Sequence, residues 1–111
     1  MKFSDYQTAT AETAIYPDAG RGSMVALAYV ALGLAGEAGE VSNVVKKMLR
    51  DDLPYAEVRE RLGKELGDLC WYIARLCAEL GIDLDDVASH NVDKLLDRKA
   101  RGVLGGSGDT R

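Results

Sequence analysis

Gly33-Leu34-Ala35-Gly36-Glu37-Ala38-Gly39-Glu40 and, further along, Lys64-Glu65-Leu66-Gly67-Asp68 each set two carboxylates three residues apart. On an α-helix that spacing stacks both acids of a pair on one face, about 4.5 Å apart along the axis. Between the pairs lies Arg50-Asp51-Asp52-Leu53-Pro54, a polar stretch closed by a proline, which a first helical turn accepts and a helix interior does not. Two helices therefore meet there. Folded back antiparallel about that junction, they bring Glu40 level with Glu65 and Glu37 level with Asp68. Four carboxylates then converge between one helix pair.

Two like charges about 4 Å apart repel by roughly 4 kcal/mol at an effective dielectric near 20, so such a cluster calls for a positive partner. Neither Glu37 nor Glu40 has a basic residue three or four positions away, the spacing of an ordinary helical salt bridge. Glu37 also falls in the apolar series Val30, Leu34, Val41, Val44 and Met48, which points it toward the packed side. Two readings stay open on spacing alone. In one, the four oxygen donors hold a hard divalent cation, Mg²⁺ or Mn²⁺ as its substitute. In the other, they form a solvated acidic face, with Arg61 and Lys64 pairing Glu65 and Asp68.

The 111 residues, 47% of them hydrophobic, suffice for one domain with one core. A net charge of -4 argues against sequence-independent binding to a nucleic-acid polymer, and an anionic substrate would need a metal bridge. Cys70 and Cys77, seven apart on one helix, lie about 10.5 Å apart along its axis, too far to bridge, and read as buried thiols of a reducing, cytoplasmic setting. With one histidine, His90, and no paired CxxC, no zinc site is expected. No signal peptide is evident, and the apolar run Met24 to Gly36 is too short and too rich in small residues for a membrane span.

The periodicity predicts four helices: about Ser4 to Tyr16, Ser23 to about Leu49, about Pro54 to Leu80, and from about Asp83 to a point before Gly102. The fold class is all-α, a bundle with a central antiparallel pair carrying the acids. Pro17-Asp18-Ala19-Gly20-Arg21-Gly22 reads as a connector. Gly33, Gly36 and Gly39 each cost about 1 kcal/mol against alanine in a helix, which calls for close approach by a backbone or a ligand. Lys47 returns to nearly the face of Glu40 and is a candidate phosphate contact, with interaction at the helix C-terminus as the competing account. Trp71 follows Asp68 by three residues and could stack on a nucleobase or simply belong to the core. Asn91, Lys94, Arg98 and Arg101 make a polar, basic edge on the last helix. Residues 1–101 form the domain, and residues 102–111, rich in glycine, read as a flexible tail.

Glu37-Ala38-Gly39-Glu40, followed after 24 residues by Glu65-Leu66-Gly67-Asp68, resembles the ExxE...ExxD signature of the MazG-like nucleoside triphosphate pyrophosphohydrolases, an all-α superfamily. Asn91, Lys94 and Arg98 resemble its later polar positions, and the Gly-Ser-Gly-Asp-x-Arg tail is similar to that of small single-domain members. The likeness runs from about Leu27 to the end. It implies that Glu37, Glu40, Glu65 and Asp68 hold Mg²⁺ and serve catalysis, that Asn91 belongs to the substrate-binding edge, and that Lys47, Lys94 and Arg98 are candidates to balance negative charge on the phosphates. The implied reaction splits a nucleoside triphosphate, ribo or deoxy, between its α and β phosphates, as in nucleotide-pool house-cleaning. It also implies a pocket shared between subunits of a homodimer or homotetramer. A ferritin-like di-iron bundle would need Glu-x-x-His motifs that neither acid pair supplies. A non-catalytic oligomerisation or nucleotide-sensing module is the alternative from a different class.

Overall fold

The computed structural model describes residues 1–111 and contains helices and turns only. Helix α1 spans Phe3–Thr10 and runs into a 3-10 turn at Ala11–Thr13; α2 spans Met24–Asp51, α3 Tyr55–Leu80 and α4 Leu84–Ala100. The expected first helix is therefore shorter than its pattern, because its last residues tighten into the 3-10 turn and the chain then leaves the helical region at Ala14. Ser23 caps α2 by accepting from Ala26 N–H, and Asp83 caps α4 by accepting from Asp85 N–H. Pro54 stands immediately before α3, whose C-terminus is closed by Gly81 in the left-handed conformation at φ 69°.

Helices α2 and α3 form the main antiparallel pair, joined through Asp52, Leu53 and Pro54. Helix α1 lies against α3 and bridges it to α4. Gln7 fastens that bridge, donating to Ile82 C=O at 2.9 Å and accepting from Leu84 N–H at 2.8 Å, while Ser4 donates to Asp85 at 2.6 Å. Two small apolar nuclei result. Tyr16, Ala26 and Val30 form one, with Trp71, Tyr72 and Leu76 packed on it; Ala74, Cys77 and Leu84 form the other, with Tyr6.

A third, polar, nucleus was not foreseen. Glu79, buried on α3, accepts from the Tyr16 hydroxyl at 2.6 Å and from the Gly20 and Gly22 amides at 2.5 and 2.8 Å. Arg75, one turn earlier and equally buried, donates to Tyr16 Oη at 3.2 Å and Thr10 Oγ1 at 3.4 Å. Burial alone would raise the Glu79 pKa, but the three hydrogen bonds and the Arg75 charge outweigh it and hold the carboxyl below its usual range. The 17–22 connector is thus clamped onto α3.

Alone, the chain is thinly packed. Only 12 of its 111 residues are buried, and its radius of gyration of 16.8 Å exceeds the roughly 13 Å of a compact chain this long. Met24 and Leu32 on α2 are 79% and 73% exposed, and Leu96 on α4 is 58% exposed. By length and composition α2 would suffice to cross a membrane, although its first apolar run alone fell short. The tail is tied back onto α4: Asp109 meets Lys94 at 3.3 Å and Arg98 at 3.0 Å, and Arg101 donates to Arg111 C=O at 2.9 Å. Composition pointed to flexibility; the basic edge of α4 instead gives the tail's carboxylate a partner.

Candidate active site

The α2–α3 pairing brings Glu37, Glu65 and Asp68 together, with one carboxylate oxygen from each lying within 4.8 Å of the others. The expected register thus holds for three of the four acids. Glu40, one turn further along α2, is exposed and stands outside this group, though its charge still reaches Glu37. Glu37 is partly buried, and its pKa is raised, first by burial and then by the charges of Asp68 and Glu65, a hydrogen bond with Glu65, and Glu40. The site therefore carries negative charge that nothing in the chain balances.

The ordinary cationic partners are engaged elsewhere. Arg61 pairs with Glu57 at 2.5 Å and Lys64 with Glu60 at 3.2 Å, each reaching back one helical turn. The solvated-face reading, which paired them with Glu65 and Asp68, does not hold. Three oxygen donors without a cationic partner, histidine or thiolate suit a hard divalent cation.

Thr13, Trp71 and Tyr72 wall the acids to form a pocket of about 310 Å³ with Glu37 and Asp68. Trp71 and Tyr72 meet edge to face, with ring centroids 5.0 Å apart. Behind them Tyr16 contacts Trp71 edge-on at 6.1 Å and stacks on Tyr29 at 5.3 Å. Trp71 Nε1 donates to Thr13 Oγ1 at 2.8 Å. Gly33 explains how Tyr72 reaches its place: a Cβ there would stand 2.1 Å from Tyr72 Cε1. The close approach expected along α2 thus comes from an aromatic ring at Gly33, while Gly36 and Gly39 face open space.

Of the remaining expected contacts, only Trp71 lines this pocket. Lys47 is exposed near the far end of α2, where its charge acts on Asp51. Asn91 lines a separate apolar groove of about 630 Å³ between α1, α3 and α4, with Phe3, Tyr6 and Ile73. Lys94 and Arg98 hold Asp109, and Arg98 is only 4% exposed. Within one chain none of these four residues lines the acid pocket. Thr13 escaped sequence reasoning because it is brought to Trp71 across 58 residues.

The family model described as the MazG nucleotide pyrophosphohydrolase domain matches residues 27–103, more than half of the chain. The chain is also 50% identical over 114 residues to the "Gene 37 protein" of Mycobacterium phage L5, with all of both chains covered. No solved structure matches it.

Proposed function

The chain belongs to the MazG nucleotide pyrophosphohydrolase domain family, and on that premise we propose that it is a Mg²⁺-dependent enzyme splitting nucleoside triphosphates, ribo or deoxy, between the α and β phosphates. The observation that carries this reading is the unbalanced triad of Glu37, Glu65 and Asp68 beside an aromatic wall. Glu37, Glu65 and Asp68 would hold the cation, with Glu40 one turn away as a further ligand or as a relay to water. When bound, Mg²⁺ (or Mn²⁺) supplies charge neutralisation at the phosphate oxygens and a lowered pKa for water.

The chain's own residues do the rest. A carboxylate of the cluster accepts the proton of the attacking water. The new bond forms between that oxygen and the α phosphorus, the bond from the α phosphorus to the bridging oxygen breaks, and pyrophosphate leaves the monophosphate behind. Trp71 and Tyr72 offer ring faces and edges to the base.

The thin packing supports a homodimer or homotetramer. A second copy is the occupant we assign to the apolar face of α2, in preference to lipid, because Glu40, Lys46 and Lys47 are exposed on the same helix and would be costly in hydrocarbon. Assembly would also carry cationic residues such as Lys47, Lys94 or Arg98 of one copy toward the acids of another, where the phosphates need them. Cys77 is buried as expected while Cys70 lies exposed instead; both thiols are free, which fits a cytoplasmic setting, and nucleotide-pool house-cleaning is the role such an activity suits.

The test is product analysis with a panel of standard and modified triphosphates in Mg²⁺, Mn²⁺ or EDTA. Metal-dependent release of pyrophosphate with the matching monophosphate is expected. Orthophosphate with diphosphate would move the cleaved bond and overturn the mechanism, and binding without turnover would identify a nucleotide-sensing module instead.

A further inference from the structure

Residues 1–26 lie outside the matched family domain, yet the segment from α1 to the connector builds one side of the pocket. Its contribution converges on a single side chain. Thr13 Oγ1 accepts from Trp71 Nε1 at 2.8 Å while donating to Thr10 C=O at 3.3 Å, which satisfies the hydroxyl in both roles. Tyr16 meets the indole in an edge-to-face contact, and Tyr16 is itself fixed by Glu79 and Arg75.

An indole has one hydrogen-bond donor and no acceptor. With that donor engaged by Thr13, Trp71 presents only its π-face and carbon edge to the space beside Glu37 and Asp68. The nearly perpendicular Tyr72, at 86°, turns this surface into a corner. A base in this corner is selected by stacking and outline, with no hydrogen bond from the tryptophan.

We propose that Thr13 is a positioning residue for specificity: through its hydroxyl the N-terminal segment fixes the Trp71 indole and thereby sets which nucleobase the pocket accepts. This deepens the pyrophosphohydrolase reading and rests on it. The pocket's 310 Å³ is at the lower end of the roughly 300–1,000 Å³ typical of small-molecule sites, so a small rotation of one ring changes its outline appreciably.

The experiment compares wild type, Thr13→Val and Thr13→Ser. Thr13 is exposed, so loss of its hydroxyl leaves the core intact, and the serine variant keeps both hydrogen bonds. Trp71 is the sole tryptophan, so intrinsic fluorescence reads the indole directly. In Thr13→Val the emission maximum of the nucleotide-free protein should shift. The kcat/KM ratio between the best and worst bases should fall about two- to tenfold, the worth of one neutral hydrogen bond, through KM with kcat retained. Thr13→Ser should restore both. An unchanged best-to-worst ratio with undiminished turnover would overturn this inference alone, as would an equal loss for every base. Absence of turnover in the wild type would overturn the parent reading and this inference with it.

Discussion

The Tyr16 hydroxyl donates to the Glu79 carboxylate at 2.6 Å across 63 residues of sequence, and the same carboxylate receives the amides of Gly20 and Gly22. One buried acid thus organises the connector that carries Tyr16 to Trp71. Glu79→Ala would strand Arg75 and three donors in the interior, an expected loss of about 3–5 kcal/mol on chemical denaturation.

The same group sets an acid limit. Its folded pKa lies below the ordinary glutamate value of about 4.3. Its stabilisation is fully present above that pH and is lost as pH falls through the folded pKa. Stability measured against pH should show this acid-side slope in wild type and a shallower one in Glu79→Gln.

Glu37 has the opposite sign. Burial and the neighbouring Asp68 and Glu65 raise its pKa, so its ionisation opposes folding and metal-free stability declines as pH rises through the raised value. Glu37→Gln should therefore melt higher than wild type in EDTA at neutral pH while losing turnover. Mg²⁺ at 100 times its dissociation constant should stabilise wild type by about 2.7 kcal/mol, and most of that gain should vanish in the variant. Paired thermal melts check both expectations.

The glycines of α2 should separate by neighbour. Gly33→Ala drives a methyl into Tyr72 and should cost about 1–3 kcal/mol as overpacking, with a displaced Trp71 emission. Gly36→Ala meets no atom within 4 Å in the single chain and should add up to about 1 kcal/mol of helix stability. Denaturation of the two variants side by side makes the comparison.

Asp109 is held below its usual carboxylate range by hydrogen bonds from Arg98 and Lys94, so its grip on α4 should persist at neutral pH and loosen as pH falls through its folded pKa. Asp109→Ala should free Arg98, buried against the tail in the folded chain, and limited trypsin cleavage after it at neutral pH should be faster than in wild type.

The helix pattern and the acid register were legible because both depend on local spacing: a three-residue step on each helix and a proline between them fix where Glu37 meets Asp68. Glu40 departs from the expected quartet because level positions on paired helices need not face the same seam. The Thr13, Tyr16 and Glu79 contacts were not legible, although Arg75 and Glu79, an oppositely charged pair four apart amid the apolar stripe of α3, carried a hint. The placement of Lys94 and Arg98 depended on a tail carboxylate whose partner no periodicity reveals.

The three-residue link between α2 and α3 also bears on the order of events during folding. Closing so short a connection sacrifices little chain entropy, whereas the Tyr16–Glu79 and Thr13–Trp71 contacts must close loops spanning most of the domain. A refolding chain would therefore assemble its cation trap in the nascent helical hairpin first, and acquire the means to tell one base from another only when the N-terminal segment docks.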